Sequence, residues 1–270
     1  MAATAAGLML AAIHGYRPHT LGLCGPAEAR RQELLKKFLQ GQAAPAKMKK
    51  IFRQFMGAYA YYELIAKSNK IKNTFDKSVI EAYWIGNKLL DKVKTGDLRQ
   101  MIAKDFAGPG LLSKKVAAEK AAQIPVGSKP HHSFHVLTIG SVTGSVDFTG
   151  NTKLKDICRV GWGCVEKFNF PPPPLKLRGG GGKLSALLLQ SNEKNEVIKI
   201  IVRYQPLIGN KTIKLGQPIK KEVSWDKLIA PKIKKGDWVS FHWDWLVKVL
   251  NDRELKNLKK YTRNTLSALK

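Results

Sequence analysis

The chain has 270 residues, of which 47 are Lys or Arg and 20 are Asp or Glu, so its formal charge is +27, with 44% hydrophobic residues. That composition belongs to a globular protein long enough to build one or two cores without disulfide or metal staples. Cys24, Cys158 and Cys164 cannot all pair and follow no zinc or redox spacing, which points to a reducing, cytoplasmic setting, and no apolar run is long enough to cross a membrane.

Residues 1–13 are apolar enough to imitate a signal peptide but lack a preceding basic residue. The turn Leu23-Cys24-Gly25-Pro26 leads into a short helix at 27–39. A longer helix is expected where apolar residues recur at three and four positions through Ile51, Phe52, Phe55, Met56, Tyr59, Tyr62 and Ile65. Asp76 can cap the next, whose buried side holds Val79, Ile80, Tyr83, Trp84, Leu90 and Val93, with Gly96 placed to end it. Residues 108–128 read as helix or linker.

From Phe134 the pattern turns to short β-rich runs, with strands expected at 134–139, 157–168, 184–190, 196–204, 221–225 and 237–243. Between two of them, four prolines (171–174) and four glycines (179–182) read as a long hairpin connection. Leu177 and Leu184 break any match of this tract to a phosphate-binding loop. Asn251 with Glu254 forms a capping box for a closing helix with an apolar face of Leu255, Leu258, Tyr261 and Leu269. The expected architecture is therefore α+β: an N-terminal helical domain over 1–130, then a small, OB-like β-barrel with a C-terminal helix over 131–270.

The positive charge invites a nucleic-acid reading, because basic groups that neutralise phosphates release counterions. It is spread evenly along the chain, however, and a solvated lysine-rich surface is the simpler account.

Three groups of residues could carry chemistry. Cys24 precedes an expected helix N-terminus, where the dipole favours thiolate and makes a nucleophile. His131, His132 and His135 crowd together; on a helix His131 and His135 share a face and could hold one metal, whereas on a strand they lie about 13 Å apart. The following Val-Leu-Thr-Ile favours the strand. Finally, a turn at Gly236-Asp237 launches a strand that alternates Trp238, Ser240, His242 and Asp244 on one face with Val239, Phe241, Trp243 and Trp245 on the other, setting an imidazole beside a carboxylate that could orient it.

Read whole, the chain resembles an uncharacterised family of bacterial and archaeal proteins described only as a domain of unknown function. The resemblance is carried by Leu21-Gly22-Leu23-Cys24-Gly25-Pro26, Glu81-Ala82-Tyr83-Trp84-Ile85-Gly86-Asn87, and the segments 130–136, 158–163 and 236–245. The C-terminal part also resembles the HypC/HupF hydrogenase assembly chaperones, small β-barrels with a closing helix. Here Cys158-Arg159-Val160-Gly161-Trp162-Gly163-Cys164-Val165 and Gly236-Asp237-Trp238-Val239-Ser240-Phe241-His242 carry the likeness, with Trp162 where that family has proline and Cys158 internal rather than N-terminal.

That second resemblance implies a HypC-like barrel and a non-catalytic maturation role. Cys158 would transiently hold an iron-cyanide-carbonyl precursor at a partner-facing edge, with His242 nearby. The implied partners are a metalloenzyme subunit or another maturation protein. The alternatives are a hydrolase or transferase using Cys24 or the histidine cluster, and a basic nucleic-acid-binding protein.

Overall fold

The computed structural model describes residues 2–25, 29–169, 197–227 and 232–269. The strand expected at 184–190 and the proline and glycine tracts lie outside these. The chain begins with α1 (Ala2–Thr20), α2 (Ala29–Leu39), α3 (Pro45–Phe52), α4 (Met56–Ser68) and α5 (Lys77–Trp84). A 3-10 turn (Lys88–Lys92), α6 (Thr95–Asp105) and α7 (Lys114–Ala122) complete the helical part.

No helix among the described residues is long and apolar enough to cross a membrane. The signal-like α1 is instead a core element, with Leu8, Ala11, Ala12, His14 and His19 all buried, and it touches α2, α3, α5 and two later strands. Gly7 lets α1 approach the start of α5: a Cβ there would lie 2.1 Å from the carbonyl oxygen of Phe75. Backbone cannot yield as a side chain does, so Gly7→Ala is expected to destabilise the fold by about 2 kcal/mol or more in urea unfolding. Wild-type stability for that variant would show that the two helices do not meet this closely.

Two expected helices are shorter than their periodicity suggests. The apolar run from Ile51 breaks between α3 and α4. The helix capped by Asp76, whose carboxylate accepts from the Ser78 amide at 2.9 Å, stops at Trp84. Gly86 turns the chain there at φ +92 because the Tyr261 ring occupies the space where a Cβ would sit. Gly96 falls in the first turn of α6 instead of ending a helix.

The stretch expected as a strand at 134–139 is helical. His131 is the N-cap of α8 (His132–Phe134), its Nδ1 accepting from the Ser133 amide at 3.2 Å, and a π-helical turn (His135–Ile139) follows. Val136, Leu137 and Ile139 are buried, so packing overrides the β preference of their branched side chains. After α9 (Thr152–Cys158) come β1 (Gly161–Asn169), β2 (Val197–Tyr204), β3 (Leu207–Ile208), β4 (Lys214–Leu215), β5 (Ile219–Asp226), β6 (Trp238–His242), β7 (Trp245–Val249) and α10 (Asp252–Ala268).

Five strands pair in the order β1-β2-β5-β7-β6, and β1 also pairs with β6, so the ring closes on itself. Only β5 and β7 run parallel, joined by one residue pair; β3 and β4 form a separate two-stranded ribbon. The capping box at α10 is present, with Asn251 and Glu254 each bonding the other's backbone amide. Its buried face uses Leu255, Leu258, Tyr261 and Leu266, while Leu269 is exposed. One apolar cluster runs from Leu8 through the helices and strands to Tyr261.

Candidate metal centre

The site begins with a proline. Pro18 lies inside α1 and has no amide hydrogen, so the carbonyl of His14, four residues back, receives no intrahelical bond from it. That carbonyl accepts from His242 Nδ1 at 2.7 Å. Because a carbonyl only accepts, the proton sits on Nδ1 and Nε2 carries a lone pair. This Nε2 is buried without a hydrogen-bond partner. The carboxylate of Asp244, expected to orient His242, does not do so. Trp243 and Asp244 both have positive φ and form the two-residue turn between β6 and β7, and Asp244 pairs with Lys221 at 2.7 Å.

His132 approaches from α8. Its Nε2 donates to the Cys158 carbonyl at 2.9 Å, which leaves Nδ1 to accept from the Tyr83 hydroxyl at 3.0 Å. Tyr83 also lies 3.3 Å from the carbonyl of Gly57. If the imidazole proton moves to Nδ1, Tyr83 can accept it and turn its own hydrogen to Gly57, which frees Nε2 as a ligand. Cys158, at the end of α9, is the third member. Ligand atoms of His132, Cys158 and His242 all lie within 4.8 Å of one another.

Aromatic rings fix these side chains. Trp84 packs 4.5 Å from His132 and 5.4 Å from His242 between ring centroids, and the two imidazoles are 5.0 Å apart. Trp84 is held in turn by its indole N–H to Tyr62, at 2.7 Å. The trio opens on a cavity of about 160 Å³, whose lining also includes Cys24, Met56, Tyr83, His135 and Trp243. No Asp, Glu, Lys or Arg is among the described residues lining it.

Burial sets the protonation states. Removal from water holds His242 down at about 4 and His132 well below its ordinary value, so both are neutral and able to ligate. The Cys158 thiol is pushed up by burial, with Cys24 adding to the shift and Trp243 opposing it. A metal ion would therefore displace a proton from the sulfur.

The remaining candidates fall elsewhere. Cys158 and His242 do converge, but in the interior, since Cys158 is only 9% exposed; it does not stand at a partner-facing edge. His131 stacks on Tyr261 at 5.8 Å and takes no part in the trio, so although the segment is helical, the pairing of His131 with His135 that a helix would allow is not the one that forms, and His132 joins Cys158 and His242 instead. His135 stacks on His132 at 6.0 Å, with Tyr61 3.3 Å from its Nδ1. Trp162 is a packing residue beneath the Arg159 guanidinium.

Cys24 lies between the end of α1 at Thr20 and the start of α2 at Ala29. Gly22 and Leu23 close α1 with amide bonds back to His19 and Pro18, Gly22 having φ +70. Burial raises the thiol to about 11, against the opposing effect of the Gly25 backbone, which keeps Cys24 protonated and argues against a nucleophile.

No curated protein and no solved structure matches the chain, and the likeness to the HypC/HupF chaperones finds no support. In the structure Cys158 ends a helix and does not open a strand. Residues 3–170 and 191–270 do match a family described as a family of unknown function, DUF6390. The match includes all three members of the trio and the proline that frees the His14 carbonyl, and the chain belongs to that family.

Proposed function

We propose that this protein is a metal-handling accessory protein that holds a transition-metal ion through Cys158, His132 and His242. The observation that carries the reading is the convergence of one thiol and two neutral imidazoles within 4.8 Å beside a cavity, with the His242 Nε2 lone pair outside any full hydrogen bond. The hydrogen bond from His242 to a backbone carbonyl is the support that metal-ligating histidines ordinarily receive.

Three protein ligands beside a cavity leave one coordination position for an outside group. A carrier can use that position to accept or release its ion, and a hydrolase could use it for water. The lining favours the carrier: among the described residues it holds no carboxylate, and burial holds the imidazole of His135 down at about 4, which makes it a weak general base. In this reading the client is a metalloenzyme subunit or another maturation protein, and handover requires the cavity mouth, since Cys158 itself is buried.

Cobalt(II) titration of the metal-free full chain tests the site. The expected result is a thiolate-to-cobalt charge-transfer absorption that Cys158→Ser abolishes and Cys164→Ser leaves intact. His132→Ala and His242→Ala should each weaken binding by about 100-fold. Cobalt binding that is indifferent to Cys158 in a folded variant would end the proposal.

A further inference from the structure

Granting the metal site just proposed, we infer that its ion is monovalent and thiophilic, of the copper(I) class, and that it enters past Met56 and Cys24. The first argument is charge. The cluster offers one thiolate and two neutral imidazoles, so a monovalent ion gives a neutral complex and a divalent ion leaves one positive charge. No charged side chain is among the described lining residues to offset it. The charges felt by two neighbouring imidazoles have the wrong sign, Lys248 acting on His14 and Lys120 on His135, within a chain of formal charge +27. An uncompensated charge in such a place is costly, which disfavours a divalent ion unless it brings its own anion.

The second argument is softness. Three sulfur-bearing residues line the same cavity and differ in exposure: Met56 is 41% exposed, Cys24 is half-buried and Cys158 is 9% exposed. Ordered by exposure, the thioether of Met56, the thiol of Cys24 and the thiol of Cys158 with its two imidazoles make a graded series of soft donors, and we take that order as the route inward. Soft donors select copper(I) over the harder divalent ions. Loading balances as one thiol proton released for each monovalent ion bound, with no change in the oxidation state of protein or metal.

The test uses the metal-free full chain under anaerobic conditions. Copper(I) is offered from its bicinchoninate complex, and zinc(II) from a chromophoric zinc chelator. Copper(I) should bind one per chain, release one proton, and exceed zinc(II) in affinity by more than about 1,000-fold. Met56→Leu and Cys24→Ser should slow loading at least several-fold while leaving the final affinity close to wild type. Zinc(II) bound as tightly as copper(I) would overturn the monovalent assignment and leave the metal site standing. Loading at the wild-type rate in both variants would overturn the entry route, and failure of both ions to bind would remove the site as well.

Discussion

The metal-free protein is expected to lose its fold near pH 5, well above the range in which carboxylate titration unfolds many proteins. All six of its histidines are held below the ordinary value of 6.5 by burial: His131 at about 3, His135 and His242 at about 4, and His14, His19 and His132 also lowered. A depressed imidazole contributes stability that is fully present above pH 6.5. It is lost as pH falls toward the folded-state value, because the unfolded chain takes up the proton first.

For an imidazole shifted from 6.5 to about 4, the loss by pH 5 is about 2 kcal/mol. His131, His135 and His242 together remove roughly 6 kcal/mol, within the whole stability of an ordinary domain, and burial of His14, His19 and His132 acts in the same direction. Circular dichroism followed from pH 8 to pH 3, with the proton uptake of unfolding measured alongside, checks this. A midpoint below pH 4, or uptake of fewer than about three protons, would contradict the buried neutral state of these rings.

Asp156→Ala should cost about 3–5 kcal/mol, the penalty for leaving a buried charge without its partner. The Asp156 carboxylate is 6% exposed and accepts from Arg159 Nε and the Leu207 amide, both at 2.9 Å, and from the Tyr204 hydroxyl at 3.1 Å. Arg159 is 1% exposed, donates to the Gln205 carbonyl and lies 4.9 Å over the Trp162 ring. Removing the carboxylate therefore strands a guanidinium and two further donors. Asp156→Asn keeps an acceptor for the amide and should lose less, and Asp156→Ala combined with Arg159→Met should recover part of the deficit. Urea midpoints measure all three; a loss below about 1 kcal/mol for the alanine variant would show that water reaches this network.

The sequence reveals the elements whose signals are local. The Asn251–Glu254 capping box, the Asp76 cap and the alternating strands β2 and β5 depend on neighbours within a few residues, and the structure has them where expected. The segment 134–139 was misleading because its branched residues favour a strand in isolation, whereas burial decides a helix. Of the three histidines there, it is His132 that meets Cys158 and His242, a choice set by packing and not by the spacing of His131 and His135. Cys158 and His242 lie 84 positions apart and meet only through tertiary packing. One local signal for the site was present: a proline four residues after His14 inside a helix announces a carbonyl with an open lone pair.

The bond between His242 and the His14 carbonyl spans 228 positions. At about 5–20 residues per second, a ribosome needs roughly 10–45 s to make the second partner after the first. Helix α5 can cover one side of α1 early, but the side that meets β6 and β7 has nothing to rest on until the chain is nearly finished. For that interval the nascent protein carries α1 with one apolar side uncovered, and its yield in cells should depend on how well that side is chaperoned during translation.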